Sequence, residues 1–150
     1  MLHLIYMDKV DEKIINFTGK IFFPFARFSI FVIYFWFGAL KVIGTSSASP
    51  MVISLLEKTM PFISPESFLM CFGIFEMIIG LAFLIPKFTK LAITLLLIHM
   101  ITTIMPLFLL TTLTWQDTFV PTLEGQYIIK NLLFIALAIG IASHPRSKHP

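Results

Sequence analysis

Glu76 and His99 stand in the middle of long apolar stretches, residues 67–85 and 88–110, where a charge is hard to place. A carboxylate and an imidazole are the side chains best suited to taking and giving protons, because their surroundings tune both. Proton exchange is what quinone redox steps and proton-coupled transport share. Gly73 and Gly80 lie on the face of Glu76 at i−3 and i+4, so a neighbouring backbone can approach there. Thr102, Thr103 and Pro106 continue the face of His99 at i+3, i+4 and i+7. A second polar set flanks the pair. Arg27, Tyr34, Gly38 and Lys41 form one stripe, and Tyr127, Lys130 and Asn131 cluster at the opening of the last apolar block.

An ionisable group inside a bilayer costs about 2.5–3.5 kcal/mol on insertion scales, so it faces a partner or a cavity. The expected arrangement is a polar crevice opening outward. Lys41 and Lys130 would stand close together at its mouth, and Glu76 and His99, the pair expected to do chemistry, at its floor. Tyr34, Thr103, Tyr127 and Asn131 join the two lysines as candidate ligand-binding residues. Plainer roles compete with this reading. The Glu–His pair could only lock helix packing, the tyrosines could be interfacial, and Lys41 and Lys130 could be snorkelling anchors.

The elements that must position these residues follow from composition. Of 150 residues, 57 % are hydrophobic and 13 % charged, against about 25 % charged in soluble domains. Mean hydropathy is +0.92. Seventeen Phe are hard to hide in a core this small, whereas lipid accepts them. The sequence predicts an all-α integral membrane four-helix bundle, one transmembrane domain over residues 1–150, with helices at about 21–43, 67–85, 88–110 and 126–143. Each block is near the roughly 20 residues that a bilayer core of about 30 Å needs. None alternates as a barrel strand would.

Val10, Ile14, Phe17 and Ile21 fall at helical spacing and predict a short amphipathic lead-in helix on the membrane. The apolar stretch 51–64 within the first connection predicts a short surface helix, Trp115 in the last connection suits an interface, and the tail 144–150 is polar and expected to be loose. Arg27 and Lys41 are expected to snorkel to the two interfaces. Eight of the eleven basic residues fall on the side of the termini and three on the other, so both termini are expected in the cytoplasm.

Several functions are excluded or disfavoured. One cysteine, Cys71, allows no internal disulfide and no paired-cysteine redox centre, and it is expected to be a packing residue without thiol reactivity. A net charge of +3 is too small and dispersed to point to nucleic acid. Three metal ligands at sensible spacing do not occur, His99 has no second mid-membrane His for haem, and the eight Met form no copper-like cluster. No particular cofactor is implied.

The segments RFSIFVIYFWFGALKVIG (27–44), GIFEMIIGLAFLI (73–85), HMITTIMPLFLLTT (99–112) and EGQYIIKNLLFIALAI (124–139) together resemble the DoxX-like membrane proteins. Within them the chain is most similar to the YkgB-like family, which includes the reactive chlorine resistance inner-membrane protein. The likeness covers about residues 25–142 and rests on WFGxLK, ExxxG and GxYxxKN in combination. The first connection follows the family pattern only loosely. The resemblance implies a four-helix bacterial inner-membrane protein, and members are linked to quinone-coupled sulfur oxidation, oxidative-stress defence or chaperoning. Joined to the expected crevice, it suggests a redox or oxidative-stress protein that binds a quinone-like or small amphipathic ligand there. From the residues alone, a proton-coupled small transporter using Glu76 and a non-catalytic helper subunit stay open. So do a homo-oligomer and a partner subunit.

Overall fold

The computed structural model describes residues 2–143, with side chains from Asp11 onward. The tail 144–150 and the Val10 side chain lie outside the described residues. Helix α1 runs unbroken from Leu2 to Val42 with Pro24 inside it. The lead-in and the first apolar block are therefore one rod. Pro24 removes one backbone donor, and such prolines are tolerated in membrane helices. Side chains 11–20 are all exposed, and packing against the core begins at Phe23 and Ala26.

The first connection contains α2, Ser49–Thr59, with Pro50 in its first turn and Leu56 buried. It lies against the third helix, α3 (Pro65–Leu84), and against α5 (Pro106–Leu109), where Lys58 Nζ donates to the Leu109 carbonyl at 2.6 Å. A single 3-10 turn, Pro86–Phe88, leads from α3 into α4 (Thr89–Ile104). The expected third span is thus two helices on nearly one axis. Pro106 lacks the N–H that would reach the Thr102 carbonyl, while Met105 keeps helical dihedrals (φ −49°, ψ −40°).

The last connection is more ordered than a plain loop. A turn of helix, α6 (Thr111–Thr114), leads into an antiparallel hairpin, β1 (Trp115–Asp117) and β2 (Val120–Pro121), with Trp115 opposite Pro121. The last span begins three residues earlier than expected, as α7 (Leu123–Lys130) and α8 (Leu132–Ser143). Thr122 caps α7 by accepting from Gly125 N at 3.1 Å. At the junction, the Asn131 N–H bonds three residues back to the Ile128 carbonyl, which tightens the helix without turning it away.

Four stretches, 11–42, 65–84, 86–109 and 123–143, are long and apolar enough to cross a bilayer, with mean hydropathy of 1.6 to 2.2. Their outward faces carry Trp36, Phe37, Ile101, Phe108 and Leu133, all exposed. A surface this apolar all round is covered by lipid. The chain is an all-α, multi-pass membrane four-helix bundle.

Small residues set its tightest contact. A Cβ on Gly38 would stand 2.5 Å from the Gly73 carbonyl oxygen, and one on Gly80 would stand 3.0 Å from Phe35 N. Helices α1 and α3 therefore touch along their backbones, which is how membrane helices gain packing where lipid offers no hydrophobic drive. Below this contact lies the apolar core, built from Ile30, Ile79, Phe83, Leu96 and Ala138.

Candidate functional site

Lys41 is fixed by the way α1 ends. Gly44 takes a left-handed turn (φ +77°), its N–H reaches the Lys41 carbonyl at 3.2 Å, and Thr45 N reaches the Leu40 carbonyl at 2.9 Å. This pair of bonds is a glycine-terminated helix stop. It leaves Lys41 in the last turn, seven residues beyond Tyr34 and on the same face. The glycines of α3 then bring Glu76 under that face. On α4, Ala92, Leu96 and His99 point inward together.

The four side chains meet in one buried line. Lys41 Nζ donates to Glu76 Oε2 at 2.7 Å, His99 Nε2 lies 3.0 Å from Glu76 Oε1, and Tyr34 Oη lies 3.4 Å from His99 Nδ1. Their exposures are 6 % for Lys41, 6 % for Glu76, 4 % for His99 and 5 % for Tyr34, so among the described residues their side-chain polar atoms meet one another in place of water. Proton placement follows. A carboxylate that already accepts from an ammonium accepts again from Nε2–H, which leaves Nδ1 bare to accept the Tyr34 hydroxyl proton. With that placement the set holds one cation, one anion and two neutral groups, and the ion pair offsets part of the cost of charge in a membrane.

Aromatic rings wall this line. The Phe72 ring stacks on His99 with centroids 5.0 Å apart and planes 18° apart, and Lys41 Nζ stands 5.8 Å from the same ring. Phe68 continues the stack at 5.6 Å, and Phe134 of α8 meets Tyr34 edge-on at 5.6 Å. Sequence reasoning missed Phe72 and Phe134. The signal for Phe72 was its place one turn before Glu76 on the same face.

Other residues named from the sequence lie elsewhere. On α7, Gly125 and Ile128 face inward, so Tyr127 and Lys130 face out. Both are exposed, and Lys130 Nζ sits 4.9 Å over the Tyr127 ring. Asn131 is half-buried at the α7–α8 junction, where its backbone spans the break. The Thr103 hydroxyl turns back on its own helix, to the Met100 carbonyl at 3.1 Å. Thr103 also reaches the His99 carbonyl at 3.3 Å, a contact with the backbone of that residue. Among the described residues, no hydrogen bond or ring contact joins any of the four to the side chains of the Lys41–Glu76–His99–Tyr34 line.

The outward crevice between Lys41 and Lys130 is therefore not formed. Lys41 is drawn inward by Glu76, while Lys130 lies on the opposite side of its helix from the packed face. Open hollows lie elsewhere among the described residues. One, of about 450 Å³, is lined by apolar residues of α4, α5 and α8, including Met100 and Ile135, and another, of about 360 Å³, lies at the hairpin beside Trp115 and Phe119. Neither is lined by any of the four buried polar residues.

Two further expectations are corrected. Cys71 is exposed, because Gly73 and Glu76 take the inward face of α3. Arg27 does not simply snorkel: it donates to the Phe83 carbonyl at 3.1 Å and to Thr89 Oγ1 at 2.8 Å, tying α1 to the α3–α4 turn. Among the described residues no three His, Cys, Asp or Glu side chains converge as metal ligands would.

Comparison with known protein families, with curated proteins and with solved structures finds no match to this chain. The chemistry must be read from the site itself. A carboxylate bonded on one oxygen to an ammonium and on the other to an imidazole can accept a proton from either side. A phenol behind the imidazole lengthens that route across two more atoms.

Proposed function

We propose that this chain is a small bacterial inner-membrane protein of the DoxX-like type. In it Glu76 and His99 exchange protons for a redox or oxidative-stress function involving a quinone-like or other small amphipathic ligand. The observation that carries the reading is the buried line Lys41–Glu76–His99–Tyr34, which joins three helices through one ion pair and two further hydrogen bonds. A quinone changes its proton count when it changes its electron count, and a buried carboxylate–imidazole pair is a route for those protons. The excess of basic residues on the terminal side supports cytoplasmic termini.

Glu76→Gln tests the reading, since Gln keeps size and hydrogen bonding but carries no proton. A variant that inserts normally and fails to protect a deletion strain against oxidant supports proton exchange. Full protection by that variant refutes it. An ultraviolet spectrum of the extract from purified protein tests for the quinone separately.

One observation favours a second reading, a proton-coupled small transporter. Glu76 is closed off from both hollows and held by a lysine, as in a carrier caught between its two open states. Proton-linked uptake into vesicles, with no quinone in the extract, would select it.

A further inference from the structure

We propose that the pocket around the Lys41 ammonium is a binding site for primary alkylammonium ions, and that Lys41 is its built-in occupant. The inference rests on the reading of Glu76 as an exchangeable carboxylate and adds the chemical class of what it exchanges.

The lysine head group is bound as a ligand would be. Its charge is met by Glu76 Oε2 at 2.7 Å and its open side by the Phe72 ring at 5.8 Å. A carboxylate with an aromatic face is the usual chemistry for holding an ammonium out of water. The stem is accommodated as well, because Gly73 has no side chain to crowd it: a Cβ there would stand 3.0 Å from Lys41 Cβ, so the base of the lysine packs closely on the α3 backbone. Lys41 belongs to the last turn of α1, just before the Gly44 stop. Its four-carbon stem can therefore swing toward the end of the bundle and vacate the pocket without unwinding a helix.

The second carboxylate oxygen sets the selectivity. Oε1 is already taken by His99 Nε2 at 3.0 Å. A guanidinium pairs best with both oxygens of one carboxylate at once, and only one is free here. A quaternary ammonium has no N–H to give to Oε2. A primary ammonium, which needs one strong acceptor and tolerates an aromatic face, is the cation that fits.

The test uses the full-length chain in detergent and ethylammonium as the probe. Lys41→Ala removes three methylenes and the charge, leaving space that ethylammonium fills. Its melting temperature should rise by roughly 2–4 °C more with ethylammonium than with equal concentrations of ethylguanidinium, tetramethylammonium or ethanol. The difference should vanish in Lys41→Ala/Glu76→Gln. Equal shifts for all four additives, or a shift that survives in the double variant, overturn the proposal.

If Lys41→Ala yields no folded protein, cultures supplied with ethylammonium should restore it and cultures supplied with ethanol should not. Absence of that rescue also overturns the proposal. In the wild-type chain, ethylammonium should move the nitrogen NMR signal of Lys41 Nζ as the tethered head group is displaced, and an unmoved signal at saturation refutes exchange. These readouts report on ligand binding. They can fail while the oxidant phenotype of Glu76→Gln stands, so the two readings fall separately.

Discussion

Gly38 and Gly73 meet backbone to backbone, each placed so that a Cβ would fall 2.5–2.6 Å from the other's carbonyl oxygen. No side chain can be inserted there unless the two helices part. That contact lies one turn from Lys41 on α1 and one turn from Glu76 on α3, so it sets the distance over which the ion pair closes.

Gly38→Val is therefore expected to destabilise the bundle by about 1–3 kcal/mol, the usual cost of overpacking. It should also part Lys41 from Glu76. Unfolding in mixed detergent gives the first quantity, and the nitrogen NMR signal of Lys41 Nζ gives the second. A variant as stable as wild type, with an unmoved signal, would show that the crossing is looser than its geometry.

The ion pair itself should be strongly non-additive. Lys41→Met and Glu76→Gln each leave a buried polar partner behind, at about 3–5 kcal/mol apiece, whereas the double variant leaves two neutral groups that pack. The double variant is expected to be more stable than the sum of the singles by well over 1 kcal/mol. Additive losses in a double-mutant cycle would remove the pair from the account of stability.

Tyr34→Phe removes the last member of the line. With its bond to His99 Nδ1 at 3.4 Å, the loss should be modest, about 0.5–1.5 kcal/mol. The sharper readout is spectroscopic. The ring nitrogens of His99 should show Nε2 protonated and Nδ1 bare, and Tyr34→Phe should shift Nδ1 while barely moving Nε2. A protonated Nδ1 in the wild type would reverse the direction of the hydrogen-bond line.

Arg27→Gln should loosen the other end of the bundle without reaching the site. Amide exchange around residues 83–90 is expected to quicken, since the Phe83 carbonyl and the Thr89 hydroxyl lose a donor. The His99 signals should stay in place. If they move, the two ends are coupled.

The general plan was legible from sequence because it depends on length and apolarity, which single residues do not alter. Blocks of about 20 apolar residues became spans, and the intramembrane polar residues Glu76 and His99 found each other. Lys130 and Asn131 were not legible in the same way. The exposed or buried face of a short amphipathic helix depends on its rotation about its own axis, and α7 is rotated by Gly125 lying against the Thr114 carbonyl. The hairpin at 115–121 was hidden for a different reason: its strands are three and two residues long, too short to show a period. Cys71 was misjudged because an apolar helix in lipid has the same residue types on both faces.

The bond between Lys41 and Glu76 also orders the making of the protein. Lys41 leaves the ribosome 35 residues before its partner, and at about 5–20 residues per second that interval is about 2–7 s. Through those seconds the ammonium has no carboxylate to meet, so it must stay in the wet layer at the membrane edge and hold the first helix at that depth. Arrival of the next span then draws it inward. One residue is thus a brake on insertion first and a clasp between finished helices afterwards.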